Sequence, residues 1–318
     1  MKAVFLDVAS LDQNDLDLSQ LEARFDDIQL YPSTSSTDVL ARIQHADVVI
    51  TNKVVLDAQT LQQCPQLKLI LISATGTNNV DLVQATAQQI TVCNCQAYGT
   101  SAVAQHTLML MLNLATSFRQ YDRAVQQGAW GEASQFCMLD YPIVELEGKV
   151  LGILGYGVLG QAVAHLARAF GMKVVVGNLP DRQHADDSRV DFEDLLPQVD
   201  FLSLHCPLTE TTRDLIDEQA FNKMKSSAFV INCARGGVVN ETALAEALIQ
   251  KKIAGAATDV LTVEPPKQGN VLFNSDIPNL IITPHCAWGS VDARQRIVNQ
   301  LIENFEGFLK GESLRKVN

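Results

Sequence analysis

The stretch L-G-I-L-G-Y-G-V-L-G, residues 151–160, leaves the chain few ways to fold. Val150–Leu154 is an apolar run short enough for a buried parallel strand, and an amphipathic run, Gln161–Phe170, follows the glycines directly. Gly155, Gly157 and Gly160 give the spacing G-x-G-x-x-G. In that spacing the first glycine makes a tight turn, the second bares the backbone to a pyrophosphate, and the third lets strand and helix pack closely. The phosphates would rest on the amide end of the helix, where unpaired N–H groups and the dipole favour negative charge. Glycines also punctuate ordinary turns. It is the strand before and the helix after that make this a candidate dinucleotide site.

One expected partner is missing. The second strand of such a fold should end in Asp or Glu, about 20 residues past the glycines, to bind the adenosine ribose. Here Lys173–Gly177 reads as that strand, Asn178 stands at its end and Arg182 lies nearby. Asn can bond a hydroxyl but carries no charge to repel a 2′-phosphate. The residues favour NAD and leave NADP open.

At 318 residues the chain is long enough for two domains with full cores. A formal charge of −12 argues against nucleic acid or an anionic membrane as partner, since either calls for clustered Lys and Arg. That charge would also repel an anionic substrate at long range, so a site for one must supply its own local cation. Seven cysteines is an odd count with no C-x-x-C pair, and Met1–Asp7 carries no long apolar core of a signal peptide, which fits a reduced cytoplasmic setting. Cys93 and Cys95 read as small buried hydrophobes, not as metal ligands. No apolar stretch approaches the roughly 20 residues of a membrane span.

Strand and helix signals alternate along the chain, which predicts an α/β protein of two doubly wound parallel sheets. In residues 1–99 the strands are Ala3–Leu6, Ile28–Tyr31, Val48–Thr51, Leu69–Ser73 and Thr91–Asn94, with helices over Ser19–Phe25, Thr37–Gln44, Asp57–Gln63 and Val80–Gln88. A long helix, Ser101 to about Gln127, enters the second domain, 100–288; it is apolar nearly all round and suited to burial or to a partner subunit. His106 on its apolar face reads as a satisfied core residue. After Gly128 a loop of about 20 residues leads to the glycine turn, a length usually reserved for function or assembly. Further strands follow at Lys173–Gly177, Asp200–His205, Ser227–Asn232, Gly255–Thr258 and Leu280–Thr283, with helices at Glu218–Met224 and Glu241–Gln250. The last helix, Val291–Lys310, returns residues 289–318 to the first domain.

Five loops past strands hold candidate groups, because open α/β sheets bind ligands at the carboxyl ends of their strands. In the first domain, the amides of residues 73–79, S-A-T-G-T-N-N, could cradle a carboxylate; equally, Asn79 could merely cap the next helix. Lys53 follows the third strand and is by default a solvated charge. In the second domain Arg235, Glu264 and His285 each stand just past a strand. Singly, they read as an ion-pair partner, a loop carboxylate and a turn residue. Together they suit hydride transfer to a carbonyl: His protonates the nascent alkoxide, a carboxylate favours its charged form and fixes its ring, and a guanidinium pairs in a fork with a substrate carboxylate.

At this point the chain resembles the D-isomer specific 2-hydroxyacid dehydrogenases over nearly its whole length. The resemblance rests on the glycine stretch and on H-C-P-L-T-E-T-T-R at 205–213, N-C-A-R-G-G-V-V-N at 232–240, D-V-L-T-V-E-P-P at 259–266 and T-P-H-C-A-W-G-S at 283–290. The last motif and T-N-K-V at 51–54 resemble the glycerate dehydrogenase or hydroxypyruvate reductase branch. It implies a Rossmann NAD-binding domain at 100–288, a flavodoxin-like substrate domain at 1–99 plus 289–318, and a homodimer joined through the cofactor domains. Arg235, Glu264 and His285 match the family's catalytic residues. Tyr156, Val158 and Leu159 would hold the pyrophosphate between the glycines, and Cys206, Pro207, Cys233, Ala234 and Asp259, with Asn178, would line the cofactor cleft. Thr75 and Gly76 match the loop that takes the substrate carboxylate, and Lys53 adds a contact in this branch. The expected activity is NAD(P)-dependent reduction of hydroxypyruvate or glyoxylate. The rivals are a D-lactate or 3-phosphoglycerate type of dehydrogenase, and an NAD-sensing corepressor-like binding protein.

Overall fold

The computed structural model of the chain describes residues 1–180 and 188–318. Its residues group into two compact units, 1–99 with 289–318 and 100–288.

The first unit is built on strands β1 (Lys2–Phe5), β2 (Asp27–Leu30), β3 (Val48–Thr51), β4 (Leu69–Ile72) and β5 (Thr91–Cys93). All neighbours pair parallel, in the order β2-β1-β3-β4-β5. β3 and β4 are buried along their whole length, which is why they read as unbroken apolar runs and not as alternating ones. The helices between them are shorter than the sequence predicts, and side-chain caps set the first turns of two of them. Asp57 caps Ala58–Gln62, and Asp81, not Asn79, caps Leu82–Ala87 by accepting from the Gln84 N–H at 2.8 Å. The helix Val291–Leu309 belongs to this unit. Arg294 ties it down with a fork to both oxygens of Asp15, at 2.7 and 2.6 Å, and a bond to the Leu11 carbonyl. The guanidinium holds the Asp15 carboxyl down at about 2, so the fork keeps its charge well below neutral pH.

The second unit carries β6 (Val150–Leu154), β7 (Lys173–Gly177), β8 (Phe201–Leu204), β9 (Phe229–Asn232), β10 (Gly255–Thr258) and β11 (Leu280–Ile282). They form one parallel sheet in the order β11-β10-β9-β8-β6-β7. Beyond β7, Val190 adds a single-residue bridge to Gly177, with its N–H on the Val176 carbonyl and its carbonyl on the Asn178 N–H. Counted with that bridge, the order reverses at β6 and β8 as in a Rossmann sheet. Successive residues serve opposite faces: Val230 enters the core on one side of β9, Phe229 and Ile231 the core on the other.

The long helix differs from the sequence expectation by breaking in two, Thr100–Ala115 and Phe118–Gln126. Ser117 between them is left-handed at φ 50°. Its hydroxyl donates to the Pro142 carbonyl at 2.6 Å, and the Val144 N–H takes the Ala115 carbonyl at 2.7 Å. The loop after Gly128 thus satisfies groups that a continuous helix would have used. That loop leaves several large apolar side chains in the open, Phe136 at 90% exposure and Leu139 at 77%.

Candidate active site

The glycine turn follows β6 at the point where the strand order reverses. Gly155 has φ +93°, and a Cβ there would lie 2.5 Å from the Cys206 nitrogen, so the turn is pressed against the chain leaving β8. A Cβ on Gly160 would lie 2.2 Å from the Gly155 carbonyl oxygen; only a glycine lets the helix Val158–Ala169 sit this close to the turn. Gly157 differs from both. It stands at the helix N-cap, and a Cβ there would meet nothing within 4 Å. The free N–H groups of the first turn therefore open onto bare backbone, a cradle that fits a dinucleotide's phosphates. Val158 is exposed beside it, while Tyr156 and Leu159 pack partly into the core.

Past β7, the Asn178 side chain donates to Asp191 Oδ1 at 3.2 Å. A carboxylate accepts only, so the amide nitrogen must face Asp191. Asn178 Oδ1 is left buried and without a partner among the described residues. Such an acceptor suits a ribose hydroxyl, and the nearby carboxylate restores some of the negative charge that the position lacks. Arg182, the other residue considered there, lies outside the described residues.

Past β9, the side chain of Asn232 brackets the next turn, accepting from the Ala234 N–H and donating to the Arg235 carbonyl, each at 3.0 Å. A Cβ on Gly236 would lie 1.9 Å from the Leu261 carbonyl oxygen, so this turn packs backbone to backbone on the loop past β10. Arg235 is exposed. Its Nη1 donates to the Ala234 carbonyl at 2.7 Å, and among the described residues no carboxylate pairs with it. Cys233 and Cys206 are buried, which pushes their thiols up to about 12 and about 11 and makes them inert packing.

Glu264 and His285 meet. His285 Nδ1 lies 2.6 Å from Glu264 Oε2, and Glu264 Oε1 accepts from the Leu261 N–H at 2.8 Å. Each side chain is about one-third exposed, 33% for Glu264 and 36% for His285. His285 itself is left-handed, with φ +52°, a conformation that a non-glycine residue holds only when its surroundings impose it. Asp259 imposes it. Its carbonyl accepts from the His285 N–H at 2.8 Å, and its buried carboxylate accepts from the N–H groups of Cys286 and Ala287 and from the Thr283 hydroxyl at 2.6 Å. His106 Nε2 contacts the Thr283 hydroxyl at 3.1 Å, as a satisfied polar residue would.

Lys53, Thr75 and Gly76 lie in the first unit, on the loops past β3 and β4. Asp7, buried past β1, accepts from the N–H groups of Asn52 at 2.9 Å and Lys53 at 2.7 Å. Thr75 is exposed; its hydroxyl donates to the Cys95 carbonyl, and its own carbonyl accepts from the Asn94 amide.

Residues 108–287 match the model of the D-isomer specific 2-hydroxyacid dehydrogenase NAD-binding domain. The chain belongs to that family. The dehydrogenase is 43% identical to a glycerate dehydrogenase of Methylorubrum extorquens over 96% of each chain. It is 37% identical to a hydroxypyruvate reductase of Blautia hydrogenotrophica over the full length of both. Among solved structures, the TT0316 protein of Thermus thermophilus superposes with a TM-score of 0.86 at 30% identity, covering 98% of both chains.

His205 of the dehydrogenase is set apart from His285. Its Nε2 meets the Ser203 hydroxyl at 2.9 Å, its Nδ1 is shut off from solvent, and burial lowers it to about 4, so it stays neutral at physiological pH. Sequence reasoning missed Asp7, Asn232 and Asp191, which fix the loops and side chains at the expected site positions Lys53, Arg235 and Asn178. Asn232 carried a legible signal, a polar residue closing a buried strand ahead of two glycines.

Proposed function

We propose that this dehydrogenase reversibly reduces a small unphosphorylated 2-keto acid, hydroxypyruvate first and glyoxylate second, to its D-hydroxy acid, with Arg235, Glu264 and His285 as its catalytic residues. The observation that carries the reading is the relay from the Leu261 N–H through Glu264 to His285 Nδ1. An ionised carboxylate can only accept, so Nδ1 keeps its proton toward Glu264 and Nε2 is left to exchange one with substrate. Nε2 has no protein partner among the described residues. His285 protonates the carbonyl oxygen in reduction and, neutral, takes the proton back in oxidation. Arg235, with no carboxylate partner among the described residues, offers its fork to the keto acid's carboxylate and polarises the adjacent carbonyl. Lys53 and the amides around Thr75 and Gly76 take part in substrate binding. When bound, the nicotinamide dinucleotide supplies or accepts the hydride.

The names of the two full-length relatives support the choice of substrate. The test is oxidation of NADH and NADPH across hydroxypyruvate, glyoxylate, pyruvate and 3-phosphohydroxypyruvate. The expected result is the highest kcat/KM with hydroxypyruvate, with NADH ahead of NADPH because Asp191 stands beside Asn178. A maximum with pyruvate or with the phosphorylated acid would overturn the substrate assignment.

The glycine turn gives a second test. Gly157→Ala meets no atom, so the melting temperature should stay within about 2 °C of the parent while NADH binding weakens at least tenfold, about 1.4 kcal/mol. Gly160→Ala drives a methyl into the Gly155 carbonyl and should cost roughly 3 kcal/mol or more of stability. Equal losses of stability in both variants would contradict the division of roles between the two glycines. The exposed apolar side chains of Trp130, Phe136, Leu139 and Ile143 support a homodimer in which a second copy covers this loop. Seven free cysteines and the absence of any helix long and apolar enough to cross a membrane among the described residues support a cytoplasmic setting.

A further inference from the structure

Behind the His285 turn, three side chains from three separate elements converge: His106 on the helix Thr100–Ala115, Asp259 past β10 and Cys286 past β11. We propose that they bind one thiophilic divalent cation of the Zn²⁺ type. Their ligand atoms all lie within 4.8 Å of one another, and His106 Nε2 is 3.7 Å from Asp259 Oδ1. Zinc bonds of about 2.0–2.3 Å to N, O and S at a tetrahedral centre separate such atoms by roughly 3.3–3.8 Å. The His106–Asp259 pair at 3.7 Å must close by about 0.3 Å, and the Cys286 sulfur, within 4.8 Å of both, moves in by up to about 1 Å.

The chemistry of the set is right as well. A carboxylate and a thiolate neutralise a dication, and an imidazole supplies the third bond without charge. Asp259 is buried and His106 only 15% exposed, whereas Cys286 is exposed, so an ion enters past the cysteine and keeps a water in the fourth position. In the metal-free chain burial and the neighbouring Asp259 carboxylate raise the Cys286 thiol, which keeps its proton. Binding breaks that S–H bond, forms S–Zn and releases one proton to solvent. His106 moves its own proton from Nε2 to Nδ1 and turns its lone pair to the ion, with no net gain or loss. None of this depends on the proposed reaction. The consequence for activity does, because Asp259 holds the His285 turn and would be drawn toward the ion.

The experiment titrates the purified full-length chain with Co²⁺ and then Zn²⁺ in a non-chelating buffer. The expected result is a near-ultraviolet thiolate-to-cobalt band that saturates at one ion per chain and is displaced by Zn²⁺. Cys286→Ser should abolish the band and weaken Zn²⁺ at least tenfold, and His106→Gln should weaken it comparably, with metal-free melting curves showing that both variants fold. No thiolate band in the parent chain, or undiminished Zn²⁺ binding by either variant, overturns the site. Zn²⁺ should also inhibit keto-acid reduction until a chelator is added. Stoichiometric binding without inhibition would uphold the site and count instead against the place given to His285 in the reaction.

Discussion

Replacing His285 with alanine is expected to lower kcat for keto-acid reduction by about 10²–10⁴-fold, the range that a positioned proton donor contributes, while NADH binds as before. The two other histidines of the second unit placed near these loops cannot compensate. His205 is held neutral by burial, and His106 is engaged with Thr283. One structural complication must be controlled. His285 sits at φ +52°, and alanine tolerates that region poorly. Asparagine adopts it several times more readily than most residues, so His285→Asn keeps the turn while removing the proton carrier. Both variants should therefore be slow, with His285→Asn the more stable. Steady-state kinetics, NADH fluorescence titration and a melting curve on each variant decide the matter. If His285→Asn turns over at the parental rate, His285 is not the proton donor and the relay through Glu264 is only structural.

Why the partner of His285 was legible in the sequence, and much of its surroundings was not, follows from the range of the interactions. Strands β3, β4, β8 and β9 announce themselves because both sheet faces are buried and all their residues but the closing Asn232 are apolar or small. The glycine turn is nearly as local, with Gly155 and Gly160 placed by contacts within the turn or with the chain leaving the strand beside it. Glu264 and His285 could be placed at strand ends, and parallel neighbours bring such ends together. What the sequence could not provide was the support. Asp259 reads as one more polar residue at a strand end, and its carboxylate also accepts from the N–H groups of Cys286 and Ala287, 27 and 28 residues away. Nothing in local composition distinguishes that from a cofactor contact. The long helix failed for the same reason in reverse. Its pattern runs on through Thr116 and Ser117, and the competing partners that end it, Pro142 and Val144, lie in a loop about 25 residues ahead whose path has no periodicity to read.

Arg235 carries the second large expectation. Arg235→Ala should reduce kcat/KM for the keto acid by about 10³-fold, close to 4 kcal/mol of transition-state stabilisation, with NADH affinity unchanged. Part of the effect is binding and appears in KM. The rest is polarisation of the carbonyl and appears in kcat, because the guanidinium's charge is worth more as the oxygen gains electrons. The chain prepares this group with some care. Asn232 closes the turn beneath it, Gly236 lies against Leu261, and Nη1 is anchored on the Ala234 carbonyl, which leaves the opposite edge of the guanidinium for a ligand. A lysine reproduces the charge but neither the fork nor the anchor, so Arg235→Lys should recover no more than about tenfold of the loss. Gly236→Ala offers an independent check, since a methyl 1.9 Å from the Leu261 carbonyl oxygen must displace the turn without touching the charge. It should lower kcat/KM in the same direction as Arg235→Lys. If Arg235→Lys instead retains nearly full kcat/KM, a point charge is sufficient, and the substrate is held by something other than a two-pronged clamp.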